Sequence, residues 1–185
     1  MIREKLGSVW KYEFYLDEDI VRFFHEHPID DLPDITQRFN SIQRGEHKAD
    51  LFRYYYLYVK GGIFIDSDAM IYEDIDSIVK DATFVSVYSS HKPGTLFQGI
   101  LGASPKNPII KRALYDAYHT DPNDLVNNYH YWCKQLYTIL KEDTSGSRMF
   151  RERITWGGDE ILDEENRIVF RHFWYTKRIP QKSDK

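Results

Sequence analysis

The chain has 185 residues, 42% of them hydrophobic and 29% charged, with a formal net charge of −4. That suits one globular domain with a sizeable core, and the mild negative charge, with no Lys/Arg block, argues against nucleic acid as a partner. No apolar run approaches the ~18–20 residues that span a bilayer, MIREKLGSVW lacks a signal-peptide core, and Cys133 is alone, so a reducing, cytoplasmic setting without disulfides or a transmembrane segment is expected.

In chain order, "IREKLGSVWKYEFYLDEDI" predicts a short helix, a strand near Tyr12–Leu16 and an acidic loop. Asp19–His27 reads as a short helix ended by Pro28, and "DITQRFNSIQRG" as a helix that stops at Gly45. From His47 to Lys60, Leu51, Tyr54, Tyr55 and Tyr58 recur at the three-and-four spacing of a buried helical stripe, with Gly61-Gly62 as its C-terminal cap. "IFID" (63–66) predicts a strand apolar on both faces, as in the centre of a parallel sheet. "TFVSVY" (83–88) is a second strand, and "LFQGILGAS" (96–104) continues the sheet or its edge. Asn107-Pro108 opens a helix to about His119, and Asp121-Pro122 a long one to about Glu142. "RITWGGDEIL" and "RIVFRHFWY" close the chain as loop and strand. Alternating helices and strands predict an α/β fold with a mainly parallel central sheet flanked by helices. No repeat or linker divides it, so residues 1–185 are expected to form a single domain, alone or within a longer polypeptide.

The chemistry centres on "GGIFIDSDAM" (61–70). Asp66 and Asp68 follow an apolar strand one residue apart and project to the same side of an extended chain. Ligands of open α/β sheets gather beyond the carboxyl ends of strands. Two carboxylates there raise each other's pKa unless a positive group lies between them, and a hard divalent ion such as Mn²⁺ or Mg²⁺ fills that role. An ordinary acidic turn would also read Asp-Ser-Asp. Asp50 and Arg53, three apart on the preceding helix, share a face. That helix runs antiparallel to the strand, which returns the pair to the level of Asp66 and Asp68; the plainer account of Asp50 and Arg53 is an intrahelical ion pair.

"KADLFRYYYLYVKGGIFIDSDAMIYEDID" (48–76) resembles the donor-binding core of DXD-type glycosyltransferases with the GT-A (Rossmann-like) fold. It is closest to the sugar-transferase family related to yeast initiating mannosyltransferases and bacterial capsule enzymes, and is similar also to the clostridial glucosylating toxins. Asp-x-x-Arg, a tyrosine-rich helix, Gly-Gly, an apolar strand and Asp-x-Asp occur together in this register, and "WKYEFYLDED" and "LFQGILGASPKNPII" extend the likeness more loosely. The resemblance implies that Asp68 binds the metal and that Asp66 contacts ribose and metal. It implies further that Asp50 and Arg53 hold the donor sugar, with Arg53 also near the diphosphate. The residue types suit those tasks: Arg53 offers planar charge-assisted donors, and an ionised Asp50 accepts from hydroxyls. The implied activity is metal-dependent transfer of a hexose from a nucleotide-diphosphate sugar, UDP-glucose first and GDP-mannose second, to a glycan or protein acceptor with retention of configuration.

The family often completes the metal shell with a late His, here His172; a lone His beside aromatics is also an ordinary packing residue. Gln98 matches the position of an amide near the donor sugar, and Asp159, in the Gly-rich "TWGGDE", is a further candidate for the sugar. Trp174, Lys177 and Arg178 read as packing or solvated residues, Cys133 as packing, and Asp74 and Asp76 as caps. His25, His27, His47 and His91 show no ligand-like pairing. The family's opening apolar strand has no visible counterpart, which leaves the base-binding residues unassigned. Two rivals follow. One is a binding or interaction domain of the same fold that is weak in catalysis. The other is a haloacid-dehalogenase-type phosphatase, against which Met70 stands where that motif carries Thr or Val.

Overall fold

The structure, a computed structural model, describes residues 10–173. The helices are α1 (Asp17–Glu26), α2 (Ile35–Ser41), α3 (Gly45–Lys60), α4 (Ile75–Val79), α5 (Pro108–His119), α6 (Pro122–Val126) and α7 (Tyr131–Glu142). The strands are β1 (Gly62–Ile65), β2 (Ala69–Ile71), β3 (Phe84–Tyr88), β4 (Leu96–Ala103), β5 (Ser147–Thr155), β6 (Gly158–Leu162) and β7 (Ile168–Phe173). They form one seven-stranded sheet in the order β1-β4-β3-β5-β6-β7-β2.

The α/β class holds, but the sheet is not mainly parallel. Among the described residues only β3 and β5 pair in parallel; the other neighbours run antiparallel. β1, expected at the centre of a parallel sheet, is an edge strand whose four residues are each half-buried. Its apolarity on both faces has another cause. Phe64 packs toward the helices, while Ile63 and Ile65 pack toward the cluster on the opposite face. Cover on both faces demands apolar residues whatever the direction of the neighbouring strand.

Other boundaries moved for local reasons. Residues 10–16 form no strand, because side chains rather than a ladder hold them. Glu13 accepts from Lys11 Nζ (2.8 Å), the Tyr15 hydroxyl (2.7 Å) and the Tyr56 hydroxyl of α3 (2.8 Å). Those three donors hold its carboxyl at about 2. The acidic stretch is the first turn of α1, where Asp17, Glu18 and Asp19 complement the helix dipole and Asp19 Oδ2 accepts from Leu16 N (3.1 Å). Gly45 starts α3 instead of ending α2, which stops at Ser41. The long helix expected to reach Glu142 is two helices, broken at Asn127-Asn128, residues of low helix propensity. "RITWGGDEIL" is no loop: it is most of the β5–β6 hairpin, turned by Trp156-Gly157 with Gly157 at φ 89°. The Gly61 cap (φ 70°) and the Asn107 and Asp74 caps form as expected: Asn107 Oδ1 accepts from Ile109 N (2.9 Å), and Asp74 Oδ1 from Ser77 N (2.9 Å). The start of the short helix expected in "IREKLGSVW", and Trp174, Lys177 and Arg178, lie outside the described residues.

Two apolar clusters sandwich the sheet. One gathers α1, α2, α3, α5 and α7 around Phe39, Leu51, Tyr54, Tyr55 and Trp132; the other, with Ile75 and Ile78 of α4, centres on Phe150, Ile161 and Phe170. β1 and β2 stand at opposite edges, yet only Asp66-Ser67-Asp68 joins them. Ile65 and Ala69, four residues apart, lie at most about 14 Å from each other. The sheet therefore curls until its two edges meet. Phe97 on β4 touching His172 on β7, with ring centroids 4.7 Å apart, shows the same closure from the inside.

Candidate active site

The closing point is the acidic tripeptide. Asp66 N donates to Gly99 O on β4 (2.8 Å), and Asp68 O accepts from Phe173 N on β7 (2.9 Å), so each aspartate is pinned to one edge. The pinning across the gap is why the two carboxylates crowd together. His172 faces Ala69 in the β2–β7 register, which brings its Nε2 to 3.4 Å from Asp68 Oδ1. One ligand atom from each of Asp66, Asp68 and His172 falls within 4.8 Å of the others.

α3 supplies the second side. Arg53, 5% exposed, lies over the Phe64 ring (4.2 Å) and donates through Nη1 to Gln98 O. Its Nη1 stands 3.5 Å from Asp50 Oδ1 and its Nη2 3.6 Å from Asp66 Oδ1. One guanidinium thus spans the helix carboxylate and the strand carboxylate, as the spacing of Asp50, Arg53 and Asp66 predicts. Burial pushes the Asp66 carboxyl above the ordinary range; Arg53 opposes this, and Asp68 adds to the rise. Gly99 leaves room here: a Cβ would stand 2.5 Å from Asp66 Oδ2 and closer still to the Phe97 ring, so both side chains would have to shift.

These donor sets suit a hard divalent cation: two carboxylate oxygens and one imidazole nitrogen converge, and burial leaves Asp66 in need of a positive neighbour. The other expected residues fall in two places. Gln98 touches the site through its backbone oxygen, which accepts from Arg53, whereas its side chain is buried against α3, with Oε1 accepting from the Tyr54 hydroxyl (2.8 Å) and Nε2 without a partner among the described residues. Asp159 is 1% exposed and sits opposite His172 in the β6–β7 register, with Oδ2 2.9 Å from His91 Nε2. His91, unpaired in the sequence reading, meets a carboxylate 68 residues away, a separation that leaves no local signal. His47 was also passed over, although its place three residues before Asp50 was legible; its Nδ1 lies 3.5 Å from Asp50 Oδ2.

A cleft of about 380 Å³ opens beside Arg53 and Asp66, bounded by Trp10, Tyr12, Phe14 and the free edge of β1. That volume falls in the range of small-molecule sites, and its lining is aromatic with charge at one end. A larger hollow of about 580 Å³ between α1 and α2 shares none of these side chains.

Residues 8–85 match the family described as "Glycosyltransferase sugar-binding region containing DXD motif". The chain is 28% identical over 107 residues to inositol phosphoceramide mannosyltransferase 1 of Schizosaccharomyces pombe, covering 58% of this chain and 32% of that protein. It is 22% identical over 154 residues to uncharacterized glycosyltransferase L373 of Acanthamoeba polyphaga mimivirus (82% and 54%). To the mannosyl phosphorylinositol ceramide synthase of Saccharomyces cerevisiae it is 25% identical over 131 residues (71% and 30%). The chain therefore spans about a third to a half of the length of these relatives. No solved structure matches it.

Proposed function

We propose, from the match of residues 8–85 to the DXD-containing sugar-binding region of glycosyltransferases, that this chain is a glycosyltransferase that transfers a hexose from a nucleotide-diphosphate sugar to an acceptor hydroxyl on a GT-A-type fold. The observation that carries the reading is the meeting of Asp66, Asp68 and His172 across the closed sheet edges, with Arg53 bridging to Asp50.

In this reading Asp66, Asp68 and His172 hold Mn²⁺ or Mg²⁺. A divalent cation held there would supply positive charge to the diphosphate as it leaves. Arg53, already fixed by Gln98 O and the Phe64 ring, presents its remaining N–H groups to diphosphate oxygens. Asp50 accepts from the sugar's hydroxyls. The aromatic cleft beside Asp66 takes the nucleoside. The acceptor's proton passes to the departing phosphate oxygen, which fits retention of the anomeric configuration; an inverted product would exclude this route.

Two donors are to be separated: UDP-glucose, the first expectation from the sequence, and GDP-mannose, favoured by two relatives whose names specify mannosyl transfer. Calorimetric titration of both sugars and both free diphosphates, with and without Mn²⁺, on the wild type and Asp68→Ala tests the reading. Binding to one donor that requires Mn²⁺ and weakens about a hundredfold in the variant is expected. Mn²⁺-dependent binding without any turnover, hydrolysis included, would favour a sugar-nucleotide-binding domain of the same fold.

A further inference from the structure

Asp50 is the residue the proposed reading gives to the sugar, and its carboxylate is flanked on both oxygens. Arg53, three residues later on α3, stands 3.5 Å from Oδ1. His47, three residues earlier, stands 3.5 Å from Oδ2. The i−3 and i+3 neighbours of a helical residue both lie on its face, so one carboxylate is gripped from the turn before and the turn after. His47 is fully buried, its ring meeting Trp132 of α7 edge-on at 5.2 Å, and neither ring nitrogen has a hydrogen-bond partner within 3.5 Å geometry among the described residues. A buried imidazole without partners is costly, and apolar residues pack such positions better. Arg53, whose Nη1 flanks the same carboxylate, likewise has a buried Nε without a partner. Two side chains with unused polar atoms thus flank Asp50, as in a site finished by a ligand rich in hydroxyl groups.

We propose that His47 is a positioning residue: when the donor binds, its Nδ1–H closes the 3.5 Å gap to Asp50 Oδ2 and, with Arg53 beside Oδ1, fixes the carboxylate in the one rotamer that meets the donor's sugar. The proposal rests on the nucleotide-sugar reading. It assigns His47 a contribution to the sugar half of the donor and none to the diphosphate half, which Arg53, Asp66 and Asp68 serve. A residue that merely filled the core would not make that distinction.

His47→Asn and His47→Gln separate the two roles. The Asn amide nitrogen reproduces Nδ1, whereas the Gln amide nitrogen reaches the place of Nε2 and leaves Oδ2 without its donor. In Mn²⁺-loaded protein, calorimetry should show His47→Gln weakening the nucleotide sugar about tenfold, about 1.4 kcal/mol, with the matching diphosphate within about twofold of wild type. His47→Asn should stay within about threefold for both ligands. Equal losses for sugar nucleotide and diphosphate, or no loss in His47→Gln, would overturn the assignment. Wild-type protein that binds neither sugar nucleotide would instead defeat the glycosyltransferase reading beneath it. A ¹⁵N spectrum of the wild-type imidazoles gives a check that needs no variant: Nδ1 of His47 should carry a proton, and a tautomer protonated at Nε2 alone would refute the proposal.

Discussion

Asp66 pulls the molecule in two directions. Its carboxyl is held above the ordinary range by burial first and by the Asp68 charge, with Arg53 only partly relieving it. A native state that binds this proton more tightly than the unfolded chain keeps the corresponding stability fully below the ordinary carboxyl pKa and loses it as pH rises through the raised value. Metal-free protein at neutral pH therefore carries the cost of a desolvated charge. Asp66→Asn, which is never ionised, should unfold a few degrees higher than wild type at pH 7 in chelator, at about 2–4 °C per kcal/mol for a chain of this size. The gap should close near pH 3, and Mn²⁺ should raise the melting temperature of the wild type only. Melting curves across pH, with and without the ion, check this; a variant less stable than wild type at pH 7 would mean that Arg53 outweighs burial.

At the level of elements, β4 matters more than its sequence suggests. Its register with β3 jumps between the Val85 and Val87 pairs, an irregularity that spans residues 98–101, Gln98 and Gly99 among them. The bulged stretch does three tasks: Gln98 O holds Arg53, Gly99 O holds Asp66 N, and the missing Cβ of Gly99 makes room for Asp66 Oδ2. Bulges re-aim groups next to active sites in this way. Gly99 has no left-handed φ, so its requirement is spatial and not conformational. Gly99→Ala should consequently lower Mn²⁺ affinity by about tenfold or more while costing about 1–3 kcal/mol of stability from overpacking. Metal titration beside urea unfolding measures the two effects separately; a loss of stability with unchanged metal affinity would show that the Asp66 carboxylate relocates freely.

For the whole molecule, the two apolar clusters lie on opposite faces of one sheet whose edges are tied together by Asp66-Ser67-Asp68. Neither cluster can lose its sheet face without exposing the other. Residues 10–173 are therefore expected to unfold as one unit, with a single calorimetric transition whose measured and van't Hoff enthalpies agree. Two separated transitions would show that the helical layer and the curled sheet are independent.

Local patterns account for much of what was legible beforehand. The three-and-four stripe of α3, the Gly61 cap and the Asn107-Pro108 start depend on neighbours within a few residues, and so does the shared face of Asp50 and Arg53. The family resemblance rested on the same short-range register and is matched over residues 8–85. Strand direction was not legible, because the apolarity of β1 reports cover on its faces and is silent about which way its partner runs. Nor were the pairs made across the fold: His91 with Asp159, Phe97 with His172, and the Gly99 and Phe173 bonds that pin the two aspartates. The sequence by itself determined that an apolar strand ends in two carboxylates beneath an Asp-x-x-Arg helix. Only the tertiary structure decided that this strand is an edge and that the carboxylates close a curled sheet, since register and curvature follow from contacts between segments far apart in the chain.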